Sequence, residues 1–158
     1  MPAYTDYDQI YTNLYQGSYP KLDKELSDHF DIVVFTAVEK QPKAAALKGV
    51  PKNVVIRKFP LDDDPCQLIT RKQSAELLHL AKELAYHLRN GKRVLITCAM
   101  GMNRSGLVTA LTLMAATGCH GKNALETVRA RRRPMDDGTR ALFNPIFARF
   151  VQTQPPII

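Results

Sequence analysis

At 158 residues, 45% of them apolar, the chain can bury one well-packed core and is too short for two ordinary domains. Three cysteines without paired spacing argue against a disulfide scaffold and suit a reducing compartment, and no apolar run approaches membrane-spanning length. The net charge of +7 favours anionic partners: phosphoproteins, nucleic acid or acidic membrane surfaces. Met1 to Asp6 carry no basic-then-apolar targeting pattern, so the expected location is cytoplasmic.

No repeat, low-complexity tract or long linker interrupts the chain, and one domain is expected over 1–158, with its core from about 8 to 152 and both ends frayed. Three short β-branched runs bounded by turns read as strands: Ile32-Val33-Val34-Phe35-Thr36, Val54-Val55-Ile56-Arg57-Lys58-Phe59 and Val94-Leu95-Ile96-Thr97. They lack clean alternation, as befits a mostly parallel sheet covered on both faces. Between the second and third lies an amphipathic helix with Leu77, Leu78, Ala81, Leu84, Ala85 and Leu88 on one face. Thr70 and Gln73 have capping-box spacing at its start, and Gly91 stops it. Further helices are predicted over 107–116, 123–132 and 139–151, the last closed by Pro155-Pro156. Strands alternating with helices before a helical C-terminal part give an α/β layered domain. The run Arg131-Arg132-Arg133 reads first as a solvated helix end, where cations meet the negative pole of the helix dipole, and second as an anion site near a cleft.

The chemistry concentrates in Cys98-Ala99-Met100-Gly101-Met102-Asn103-Arg104-Ser105-Gly106, directly after the third strand. A cysteine and an arginine five residues apart, on a tight loop that feeds a helix, set sulfur beneath a tetrahedral anion and a guanidinium beside it. Backbone N–H groups of the loop and of the first helical turn can point inward to bind phosphate. The same field favours the thiolate, the nucleophilic form of cysteine. Gly101 is expected where a Cβ would crowd the cradle, and Ser105 supplies a hydroxyl.

These residues resemble the signature of the cysteine-dependent protein phosphatases. The resemblance extends to Gln9-Ile10-Tyr11-Thr12-Asn13-Leu14-Tyr15-Gln16-Gly17-Ser18, similar to the opening segment of the dual-specificity branch, and to Val128-Arg129-Ala130-Arg131-Arg132-Arg133-Pro134, similar to the helix end that follows its active site. It implies a phosphotyrosine protein phosphatase-like fold and phosphomonoester hydrolysis through a phosphocysteine intermediate. In that reading Cys98 attacks phosphorus, Arg104 and the amides of Ala99, Met100, Gly101, Met102 and Asn103 hold the oxygens, and Ser105 assists release of the sulfur. No metal or organic cofactor is implied, and the protein is expected to act as a monomer on phosphotyrosine, phosphoserine and phosphothreonine in a shallow cleft. One position departs from the family pattern: Thr97 stands where the family has a histidine that orders the loop.

A serine or threonine alkoxide is a poor leaving group, so a carboxylic acid must stand over the loop. Phe59-Pro60-Leu61-Asp62-Asp63-Asp64-Pro65 supplies three at the end of a strand, and the resemblance selects Asp63, with Asp62 and Asp64 left as a solvated turn. Cys66 reads as a packed thiol or, less simply, a redox partner of Cys98; the four histidines have no ligand spacing. Met100 and Met102 are expected to make an apolar rim, without the lysines that phosphoinositide phosphatases place there. Gly101-Met102-Asn103-Arg104 also resembles the loop of the cysteine-dependent RNA 5′-triphosphatases, which makes RNA the alternative substrate. A phosphate-binding pseudophosphatase is the third reading, resting on Thr97 alone.

Overall fold

The computed structural model describes residues 6–157. Five strands form one sheet in the order β1-β2-β5-β3-β4, where β1 is Tyr7–Tyr11, β2 Leu14–Gly17, β3 Ile32–Ala37, β4 Val55–Leu61 and β5 Val94–Thr97. Only β1 and β2 pair antiparallel; β2–β5, β5–β3 and β3–β4 are parallel, so the sheet is mixed and mostly parallel, as expected. Among the described residues six helices complete the order: α1 (Leu26–His29), α2 (Ala44–Leu47), α3 (Arg71–Arg89), α4 (Arg104–Thr117), α5 (Gly121–Arg131) and α6 (Pro145–Thr153). None is long and apolar enough to cross a membrane.

Alternation along β3 and β5 divides the core in two. Ile32, Val34, Val94 and Ile96 pack against the buried faces of α3 to α6, while Val33, Phe35 and Leu95 join Leu26, Phe30 and Val54 on the opposite face. Both faces are therefore apolar, and the strands read as unbroken hydrophobic runs for that reason. Tyr7, Tyr15 and Phe30 close the second cluster with edge-to-face contacts at centroid separations of 5.0 to 5.8 Å.

Several elements differ from the sequence expectation. The hairpin β1–β2 is not announced by a β-branched run; its signal is the two-residue turn Thr12-Asn13, with Asn13 in the left-handed region at φ 61°. The last helix starts at Pro145, not at 139, because Asn144 caps it by accepting from the N–H groups of Ile146 and Phe147. Residues before it form a loop that folds back, with Leu142 donating its N–H to the Met102 carbonyl. The C-terminal tail is not frayed: Ile157 is buried in the larger core cluster. The expected fraying of the first residues falls mainly outside the described residues. The capping box of α3 is present in both bonds, Thr70 Oγ1 accepting from the Gln73 N–H and Gln73 Oε1 from the Thr70 N–H.

The register places the chemistry. β5 lies between β2 and β3, with Thr97 opposite Gly17 and Phe35, so the chain leaves the carboxyl edge of the sheet at its centre and enters the loop at Cys98. Ligands of open α/β sheets bind at that edge. Thr97 is fully buried and laces β5 to β3: its hydroxyl donates to the Val34 carbonyl at 2.8 Å, and the Thr36 hydroxyl donates to the Thr97 carbonyl at 2.7 Å.

Candidate active site

Cys98 lies in the floor of the loop, 4% exposed. Its sulfur accepts the Gly101 N–H at 3.2 Å and stands 3.2 Å from the Ser105 hydroxyl. The 14-residue helix α4 begins at Arg104, so its unpaired N–H groups and the positive end of its dipole face the loop. The side chain of Arg104 is buried beside it and is held by carboxylate and backbone alike. Its two terminal nitrogens donate to Glu39, Nη2 to Oε2 at 2.7 Å and Nη1 to Oε1, and Nη1 also donates to the Leu61 carbonyl at 3.2 Å. Its Nε is buried, with no partner among the described residues. The pair shifts both groups towards their charged forms: Glu39 falls from 4.5 to about 2, chiefly through its hydrogen bonds to Arg104, and Arg104 rises through the same bonds.

Glu39 was not singled out by the sequence, where it is one acid among fifteen. The available signal was its place, two residues beyond the carboxyl end of a strand that adjoins β5.

Behind the loop stands Arg132, 4% exposed, which corrects the reading of a solvated helix end at that position, while Arg131 and Arg133 on either side are exposed as expected. Its Nε donates to the Gly101 carbonyl at 3.0 Å, and Nη2 donates to the Met100 carbonyl at 3.2 Å. Nη1 reaches Asp8 and Nη2 reaches Asp6, each at 3.1 Å. Gln16, fully buried in β2, donates to the same Gly101 carbonyl at 3.0 Å. Gly101 has φ 70°, and a Cβ there would lie 2.5 Å from the Gly17 carbonyl carbon and 2.6 Å from Arg132 Nη2. The glycine is thus required by the packing behind the loop, against β2 and Arg132.

Asp63 alone of the three adjacent acids is partly covered; Asp62 and Asp64 are exposed. Asp63 Oδ2 accepts from Asn103 Nδ2 at 3.0 Å, and Oδ1 accepts from Asn144 Nδ2 at 2.7 Å. Asn103 Oδ1 accepts the backbone N–H of Asn144 at 2.9 Å, which closes a ring of three side chains. The structure therefore brings Cys98, Arg104, Ser105, Asn103 and Asp63 together.

Of the remaining loop residues, Ala99 is half-buried and Met100 exposed, but Met102 is 3% exposed and packs in the main core. The apolar rim consequently falls to Met100, because the loop turns the Met102 side chain inward. A cleft of about 400 Å³ lies beside Met100, Arg132, Arg133 and Met135. Cys66 is exposed on the loop after Asp64, not packed, and all three thiols are free. Among the described residues no group of three or more His, Cys, Asp or Glu could hold a metal ion.

No curated protein sequence matches the chain. Among solved structures, human DUSP28 superposes with a TM-score of 0.71 at 21% identity, covering 96% of this chain and 93% of that one. Tk-PTP in its active form gives 0.70 at 23% identity, covering 96% and 99%. OH1 from the Orf virus, described as a tyrosine phosphatase with triple substrate specificity, gives 0.62 at 19%, covering 96% and 87%. At these identities the likeness is one of fold. The family model of the dual specificity phosphatase catalytic domain matches residues 14–142, from β2 through the Cys98 loop to the fold-back before α6, and the chain belongs to that family.

Proposed function

We propose that the protein hydrolyses phosphotyrosine and phosphoserine or phosphothreonine in proteins through a phosphocysteine intermediate. The observation that carries this reading is the meeting of the Cys98 sulfur, the buried Arg104 guanidinium and the Asp63 carboxylate around one helix N-terminus, with Asn103 bonded to Asp63 from within the loop.

In the first step the Cys98 sulfur attacks phosphorus; the S–P bond forms as the bond to the ester oxygen breaks, and that oxygen takes a proton from the Asp63 carboxylic acid. Arg104 and the loop amides hold the equatorial oxygens, where charge develops. In the second step Asp63, now a carboxylate, takes a proton from water as the water oxygen attacks phosphorus. The S–P bond breaks, inorganic phosphate leaves, and the Ser105 hydroxyl donates to the departing sulfur. These steps use only side chains and water, and three free thiols fit a reducing, cytoplasmic setting.

Asn103, the residue that suggested an RNA substrate, has its amide turned to Asp63 and its oxygen to the Asn144 N–H, so it is accounted for within the protein. The test is turnover of a phosphotyrosine peptide, a phosphothreonine peptide and 5′-triphosphorylated RNA, with acid-quenched enzyme examined by mass spectrometry for a phosphoryl group on Cys98. Phosphopeptide turnover that is lost in Cys98→Ser, with oxyanion binding retained, supports the reading. Preference for the RNA, or no turnover of any substrate, overturns it.

A further inference from the structure

We infer that Asn144, the cap of α6, is a positioning residue for the acid: it holds Asp63 at a fixed place over the nucleophile loop. This rests on the reading of Asp63 as the general acid.

The amide orientations follow from backbone groups with no choice of role. The Asn144 N–H is a donor, so the Asn103 atom that accepts from it is Oδ1, and Asn103 Nδ2 is left for Asp63. The Ile146 and Phe147 N–H groups are donors too, so Asn144 places Oδ1 on them and has Nδ2 free to donate to Asp63 at 2.7 Å. Asn144 is 2% exposed and Asn103 4%, so neither amide has water as an alternative partner. The ring joins three segments distant in sequence: the loop after β4, the nucleophile loop and the start of α6. Loops are ordinarily the mobile parts of a fold, and an acid on one must still meet the leaving oxygen in near-attack geometry. Asn144 supplies that constraint from the start of a helix, and a carboxyl group that gives its proton to the ester still has an oxygen lone pair to accept from Asn144 Nδ2.

Asn144→Ser separates the two roles of the residue, since a serine oxygen caps α6 but has no amide to reach Asp63. The expected result is a loss of roughly 10- to 100-fold in kcat on a phosphothreonine peptide, against less than about 3-fold on an aryl phosphate whose leaving group needs little protonation, with KM little changed. In an Asp63→Asn background the same change should add almost nothing. Asn144→Asp, which keeps the cap and sets a carboxylate against Asp63, should be slower still on the peptide and should move the basic limb of its pH profile upward. Equal losses on both esters, or losses that multiply with those of Asp63→Asn, overturn the positioning role. Should Asp63→Asn slow the peptide while Asn144→Ser and Asn144→Asp do not, the acid stands and the inference falls. Should Asp63→Asn itself leave the peptide unaffected, the acid assignment fails and takes the inference with it.

Discussion

Two buried arginines flank the same loop, and their bonding differs. Arg132 has every nitrogen engaged, with two backbone carbonyls of the loop and two carboxylates of the N-terminal segment as partners. Among the described residues Arg104 has a buried Nε with no partner, and the carboxylate it donates to, Glu39, is half-exposed at 53%. Leaving a buried donor unpaired costs about 1–3 kcal/mol. A fully satisfied guanidinium is scaffold; one that keeps a buried donor in hand has capacity left for an anion, the role proposed for Arg104. Sequence alone sets Arg104 in the anion loop, but it reads Arg132, in the densest basic run of the chain, first as part of a solvated helix end and gives no sign of its scaffold role.

The largest effect that would break this contrast is on Arg104. Arg104→Lys should cost roughly 10²–10³ in kcat/KM, because a point charge cannot supply the planar fork that grips two oxygens, while the melting temperature stays close to wild type. A catalytic loss explained wholly by unfolding would remove the distinction. Arg132→Met should do the reverse in kind: a loss of about 2–4 kcal/mol in denaturant unfolding, since the Met100 and Gly101 carbonyls and Asp8 each lose a buried charged donor, although Gly101 keeps Gln16 and Asp8 keeps Arg133. Stability unchanged in that variant would show that the clamp is not structural. Gly101→Ala tests the same packing from the loop side and should cost about 1–3 kcal/mol, through positive φ and contact with Gly17 and Arg132 together.

The smallest effect belongs to the exposed side of the contrast. Glu39→Gln removes a charge that competes for Arg104, and inorganic phosphate should bind up to about 5-fold tighter, as suits an ion pair worth no more than roughly 1 kcal/mol. Its pH dependence has a definite sign. The folded value is depressed from 4.5 to about 2, so the pair contributes its full stability above the ordinary carboxyl range and loses it as pH falls towards 2. Glu39 is therefore ionised throughout pH 5 to 8, and no activity limb in that range is its own titration; a limb there that disappears in Glu39→Gln would place the titration of Glu39 inside the working range.

Legibility follows the reach of the interactions. The strand, loop and helix around Cys98 are contiguous, and β5 occupies the run Val94–Thr97 expected for it. The α3 face is right in outline, although Leu80 is fully buried and Leu78 only partly, because the helix packs against α4 with a slightly rotated stripe. The last helix begins six residues later than its apolar spacing through 141 and 142 suggests, because its start is set by a cap whose amide also bonds Asp63. Thr97 illustrates the converse: read as a missing loop-ordering residue, it is fully used in lacing β3 to β5.

What the sequence by itself determined is the α/β class, the loop at Cys98 with the helix it feeds, and the acidic turn in which Asp63 lies. Each depends on neighbours along the chain, where local geometry, capping and hydrophobic period act directly. Only the tertiary structure decided which polar groups complete the site. Glu39 lies 65 positions from Arg104, Arg132 lies 31 from Gly101, and Asn144 lies 81 from Asp63. Such partners are chosen by which donors and acceptors folding leaves buried and unpaired, a property of the packed chain that no stretch of it carries alone.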